Sequence, residues 1–227
     1  NAGEMPITRL VDLIAAMYPS DGHLLGIGVS APGPLDPFSG TILTAPNVKG
    51  FSNLPLRKII EERFGVPAAV GNDANLAALA EWKYGAGQGF HNLIYMTIST
   101  GIGGGIVVDG KLLNGFKGMA GEVGHMTISD EGPPCHCGNR GCWEALASGT
   151  ALAKVARKRI ENGADTTILS LAEGKIDQVT AQTVQSAAEK GDSLASELIL
   201  QTAYYFGVGL ANLINIFNPE MIVIGGG

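Results

Sequence analysis

Apolar positions along this chain recur at helical spacing in some stretches and as short unbroken runs in others, and the two patterns alternate. Over residues 6–18, Leu10, Ile14 and Met17 fall on one helical face, with Pro6 suited to the first turn. Residues 24–30 read as a buried strand, and Pro32, Gly33, Pro34 and Pro37 then predict an irregular loop. A second helix is predicted over residues 54–64, stopped by Gly65. A short strand at 67–70 and a third helix at 74–84 follow. Helix and strand in alternation predict an α/β layer structure.

Beyond residue 90 the pattern changes. Residues 93–97 and 104–108 read as strands close in sequence, and Asp109-Gly110 predicts a tight hairpin into Lys111-Leu112-Leu113. A boundary near residues 85–92 would divide a small α/β unit, 1–90, from a larger one, 91–227. Residues 148–217 read as mostly helical, with Ser148 or Thr150 and Asp192 as candidate N-caps. The apolar run 198–217 is interrupted by Gln201, Asn212 and Asn215, which predicts a buried helix rather than a membrane span. Residues 221–224 read as a last buried strand, running into Gly225, Gly226 and Gly227. No internal repeat is visible.

Composition narrows the function. A hydrophobic content of 45% is ordinary for a globular chain, and the net charge of -6 argues against a nucleic-acid partner. An acidic chain can still bind an anionic nucleotide through local groups and metal ions. Three cysteines exclude a complete disulfide framework, so the cytoplasm is the expected location. The chain starts without methionine and stops where a further helix is expected, so it reads as a segment of a longer protein.

Three constellations carry chemistry. Gly71-Asn72-Asp73-Ala74-Asn75 lies where a strand meets a helix. Either Asn72 or Asp73 only caps the helix, or Asp73 accepts a hydroxyl proton in phosphoryl transfer while Asn72 holds a neighbouring hydroxyl. The second is Thr97-Ile98-Ser99-Thr100-Gly101-Ile102-Gly103-Gly104-Gly105, a strand entering a turn whose exposed amides suit phosphate oxygens. It is either such a cradle or a plain glycine hairpin, and no Gly-Lys-Ser/Thr follows to make a Walker loop. The third joins Gly121-Glu122-Val123-Gly124-His125 to Cys135-His136-Cys137-Gly138-Asn139-Arg140-Gly141-Cys142. All three cysteines fall in this window. A histidine with three thiolates suits a closed tetrahedral zinc site, which leaves no position for water and so predicts a structural ion. His136 competes with His125 for the fourth place and is expected to be exposed. Glu122 and Glu144 flank the cluster, and carboxylates are good acceptors for sugar hydroxyls.

Together with Gly26-Ile27-Gly28-Val29-Ser30-Ala31-Pro32-Gly33-Pro34-Leu35-Asp36, these motifs resemble the ROK family of bacterial sugar kinases and sugar-responsive repressors. The resemblance runs from Gly26 to Gly227. It implies an actin/hexokinase-like (ribonuclease H-like) α/β fold of two domains, truncated at both ends, with a small-molecule sugar and ATP in the cleft between them. It assigns Asp73 as catalytic base, and Asn72, Asp73, Glu122, His125 and Glu144 to the sugar, with Pro32, Gly33 and Asn47 as weaker candidates. His125, Cys135, Cys137 and Cys142 match the family's zinc ligands. Thr100, Gly101 and Gly103 match its second phosphate loop, and Gly225 and Gly226 the start of its adenosine loop. Mg²⁺ with the nucleotide, transfer to the hydroxyl at C6, glucose as first substrate, and a homo-oligomer (dimer or tetramer) are further implications. The Asp-x-Gly-Gly-Thr phosphate hairpin that opens the family's kinases does not occur in this sequence. A repressor's ligand domain would look alike.

Overall fold

The computed structural model describes residues 6–19, 21–44 and 51–226. Asn47 lies outside them. The chain opens with helix α1 (Pro6–Ala16) and strand β1 (Ile27–Ala31). Strands β2 (Leu35–Asp36), β3 (Thr41–Thr44) and β4 (Ser52–Leu54) follow, then helix α2 (Leu56–Phe64), strand β5 (Ala68–Asn72) and helix α3 (Asp73–Tyr84). β1 and β5 pair in parallel, Ala31 opposite Asn72. The predicted loop around the prolines is instead a three-stranded antiparallel sheet, β2-β3-β4, entered through a cis Gly33–Pro34 bond. Arg57 of α2 clamps its tip by donating to the carbonyls of Phe38 and Pro37 at 2.8 and 2.7 Å. Ile42, Leu56, Ile60 and Val70 form the core of this half. Gly65 ends α2 in the left-handed conformation, φ 68°, as its position predicts.

The second half is built on β6 (Leu93–Ile98), β7 (Ile102–Val108), β8 (Lys111–Leu112) and β9 (Met221–Gly225), in the order β8-β7-β6-β9. β6 and β7 are antiparallel, and β9 lies parallel to β6. Asp109 and Gly110 both take positive φ, 49° and 67°, as a two-residue hairpin with right-handed strand twist requires. A long loop then leads through a 3₁₀ turn at Val123–His125 to helices α4 (Trp143–Ala147) and α5 (Gly149–Glu161). Helices α6 (Ile168–Leu171), α7 (Ala181–Glu189) and α8 (Ser193–Phe217) complete it. Ser148, not Thr150, caps α5, and Asp192 caps α8.

The apolar segment 198–217 is helical, but it is not buried as expected. It is the larger part of α8, whose Leu200 and Tyr204 are exposed while Leu198 and Leu213 face the core. Among the described residues no helix is long and apolar enough to cross a membrane.

Two glycine contacts set the geometry of the site. A Cβ on Gly105 would collide with Ala78, and one on Gly103 would lie 3.2 Å from the Ala74 methyl. Glycine on β7 therefore lets α3 lie directly on the strand. Ala78 and Ala74 follow the strand in the same sense as Gly105 and Gly103, so the start of α3 lies toward the turn that opens β7.

Candidate functional site

Asn72 is the last residue of β5 and the N-cap of α3. Its Oδ1 accepts from the N–H groups of Ala74 and Asn75 at 3.0 and 3.1 Å. The Nδ2 end of the amide lies beside Gly33, 3.2 Å from where a Cβ there would stand, with Glu122 Oε1 3.8 Å from the same point. Gly33, Asn72 and Glu122 thus meet, from β-strand ends on one side and the long loop on the other. Asp73 is exposed and accepts from Ala74 N–H at 2.8 Å. Of the two residues offered as helix cap, Asn72 does the capping, and Asp73 is left with a solvent-facing carboxylate.

The cysteine loop gathers its side chains without regular structure. Cys135 N–H donates to Asn139 O at 2.8 Å, and Gly138, at φ 93°, turns the chain between Cys137 and Asn139. Gly141 turns it again at φ 65°, where a Cβ would strike the Ser129 carbonyl. One ligand atom from each of His125, Cys135, Cys137 and Cys142 falls within 4.8 Å of all the others. Cys135 Sγ lies 3.7 Å from His125 Nδ1, and Cys137 Sγ 3.6 Å from Cys142 Sγ. A tetrahedral zinc with Zn–S of about 2.3 Å has an S···S edge of about 3.8 Å, so both the spacing and the donor set fit that ion. Burial and the neighbouring Cys137 and Cys135 thiols push the Cys142 thiol up to about 12, whereas the Asn139 backbone lowers that of Cys137. A bound cation would override both, since coordination deprotonates thiols.

Trp143 seats the end of this loop. Its indole is fully buried, stacks on Phe206 of α8 at 5.5 Å, and fills the space a side chain at Gly209 would need. The next residue, Glu144, is thereby delivered to the turn between β6 and β7. Glu144 Oε2 accepts from Ile102 N–H at 3.0 Å, and Oε1 lies 3.3 Å from His136 Nδ1. His136 is exposed, as expected, yet it forms a second cluster with His125 and Glu144. On the other side of the turn, Gly149 N–H donates to Ser99 O at 2.9 Å. Ser99 N–H closes the turn on Gly101 O, also at 2.9 Å. Gly226 follows β9 at φ 117° and abuts the Ile98 carbonyl, so the two glycine segments meet at the ends of paired strands. A cleft of about 850 Å³ runs from Thr100 and Gly101 past Glu144 and His136 to Lys154 and Lys158 of α5. Asn72 borders a separate, smaller cavity of about 160 Å³.

Sequence reasoning missed three participants. The Ile102 amide and the His136 ring both engage Glu144, and only the fold brings them there. Asn75 is buried with its Oδ1 unpartnered, a position visible beforehand only as the second asparagine of the motif.

An α/β chain with a parallel β1-β5 pair, a four-stranded mixed sheet and a glycine turn beside a strand–helix acid has the actin/hexokinase-like fold. The ROK family profile matches residues 4–227, and the chain belongs to the ROK family. It is 41% identical to a glucokinase of Halalkalibacterium halodurans over 232 aligned residues, covering 100% of this chain and 70% of that protein. It is 42% identical to a xylose repressor of Caldicellulosiruptor bescii, over 89% of this chain and 50% of the repressor. The structure of a ROK family glucokinase from Streptomyces griseus, in complex with glucose and AMPPNP, superposes with a TM-score of 0.80 at 38% identity. That match covers 99% of this chain and 73% of the other.

Proposed function

We propose that this chain is the greater part of an ATP-dependent sugar kinase that phosphorylates a hexose or N-acetylhexosamine at its 6-hydroxyl. The observation that carries the reading is the seat of α3 on Gly103 and Gly105. It puts Ala74, the neighbour of the exposed Asp73, against Gly103, one residue beyond the turn at residues 99–102. Relatives named glucokinase support the activity.

In this reading Asn72 Nδ2, Glu122, His125 and Glu144 hold the sugar hydroxyls. Asp73 takes the proton of the attacking hydroxyl as its oxygen bonds to the γ-phosphorus and ADP leaves. Thr100, Gly101 and Gly103 lie against the phosphates, and Gly225 and Gly226 against the adenosine. Mg²⁺ would offset phosphate charge. His125, Cys135, Cys137 and Cys142 would hold a structural zinc, fixing the loop that bears His125 and Glu144. His125 then serves both, one ring nitrogen toward the ion and the other toward the sugar. The residues on either side of position 90 form two units that close on the substrates and exclude water as a competing acceptor. The protein acts in the cytoplasm as a homo-oligomer.

ADP release by the full-length protein against a hexose panel tests the activity. A second reading, the sugar-sensing ligand domain of a ROK-type repressor, is favoured by the 42% identical xylose repressor. It predicts sugar binding with no ADP release.

A further inference from the structure

One amide of the turn between β6 and β7 is already occupied by an anion. Ile102 N–H donates to Glu144 Oε2, a residue 42 positions further along the chain. The same carboxylate fills the space that a Cβ on Gly101 would take. The position of Glu144 thus already requires glycine at 101. The backbone on both sides is fixed, by Trp143 in its α8 socket and by the Gly149–Ser99 hydrogen bond. The Glu144 carboxylate is held from two sides, Oε2 by the Ile102 amide and Oε1 at 3.3 Å from His136 Nδ1.

A carboxylate and a phosphate oxygen compete for one N–H, and two anions within a few ångströms repel. The turn is therefore blocked to phosphate while Glu144 sits in it. Sugar hydroxyls are donors that a carboxylate accepts well, and they can compensate for the lost amide bond.

We propose that the sugar-binding Glu144 plugs the phosphate turn until a sugar hydroxyl draws its carboxylate off the Ile102 amide. This rests on the sugar-kinase reading above. Sugar would then bind before nucleotide, and each ligand would raise the affinity of the other by the same factor. The plug would also restrain hydrolysis of ATP by water when no sugar is present.

Calorimetric titration of the full-length protein with Mg²⁺ and AMPPNP, with and without glucose, tests the inference. In the parent, glucose should tighten AMPPNP binding about 5- to 150-fold, the usual range of coupling between sites. Glu144→Ala should bind AMPPNP more tightly than the parent in the absence of sugar, with the glucose effect largely gone. Glu144→Asp, too short to reach the amide, should behave likewise despite keeping its charge. A merely structural Glu144 predicts the opposite sign, with sugar-free nucleotide affinity unchanged or weaker in these variants. Glu144→Asp carries the same test if Glu144→Ala does not fold. A parent that binds AMPPNP while every folded variant leaves sugar-free affinity unchanged or weaker overturns the plug alone. A parent that binds neither AMPPNP nor any hexose of the panel overturns the sugar-kinase reading, and the plug with it.

Discussion

The cysteine loop brings four side chains together from a stretch with almost no regular structure, whereas the start of α3 holds Asn72 and Asp73 on a strand end and a helix. In the loop, positive-φ glycines bend the chain until three sulfurs and a ring nitrogen converge. A bound cation is what their arrangement suits. At α3 the backbone does the placing. Asn72 satisfies two orphan amides of the helix, and glycines on β7 set how deep the helix lies. One region is shaped by side chains that converge on a candidate ion site, the other by hydrogen bonds and close packing.

Variants in the two regions should therefore fail differently. The largest effect is expected at Asp73. Asp73→Asn should lower turnover of the full-length protein by about 10²- to 10⁴-fold if Asp73 is the base. Stability should stay within about 0.5 kcal/mol, because Asn72 makes the cap. Turnover at the parental rate in the initial-rate assay would remove Asp73 from the mechanism. Cys142→Ser should do the reverse. Metal analysis should show zinc falling from about one per chain toward zero, and sugar affinity should fall with it as the loop loosens. A folded Cys142→Ser protein with full sugar affinity would break the link between ion and site.

Asn72→Ala should cost about 1 kcal/mol in urea unfolding, the usual value of a lost N-cap. Sugar affinity should fall as well, since the Nδ2 amide goes with the cap. The smallest effect concerns a cap far from the site. Asp192 is partly buried, which opposes its charge. The N–H groups of Ala195 and Thr167 and the hydroxyls of Thr166 and Thr167 nonetheless lower it to about 2. A depressed carboxylate stabilises the fold above its unfolded value and loses that contribution as pH falls through the folded value. Asp192→Asn should therefore lower the melting temperature at neutral pH and narrow its gap to the parent between about pH 4 and pH 2. An unchanged gap across that window would contradict it.

Local rules made much of this legible in the sequence. Asp109-Gly110, Asp192 and Gly65 each announced a turn or cap that depends on two to four neighbouring residues, and Ser148 did so with Thr150 as its rival. The β2-β3-β4 sheet was not legible, because strands of two to four residues show no period and prolines mask them. The exposed face of α8 was missed because apolar residues occur all round that helix, so its pattern does not say which side is covered. In the candidate site, the crowding of the three cysteines was visible in one window, while the choice of His125 over His136 rested on expected exposure and on the family resemblance. The grip of Glu144 on Ile102 was not, since nothing in either segment records a contact across 42 positions.

The seat of α3 on β7 also bears on which sequences this fold can explore. Gly105 and Ala78 meet with no room between them. In a saturation library, position 105 should accept glycine alone. Exchanging the methyl across the contact, Gly105→Ala with Ala78→Gly, would relieve that collision. It would still leave the Ala74 carbonyl 3.1 Å from the new carbon, and would put a glycine mid-helix at a cost of about 1 kcal/mol. The joint is thus a mutational dead end, and variation in this part of the chain is left to the loops around the helix rather than to its seat.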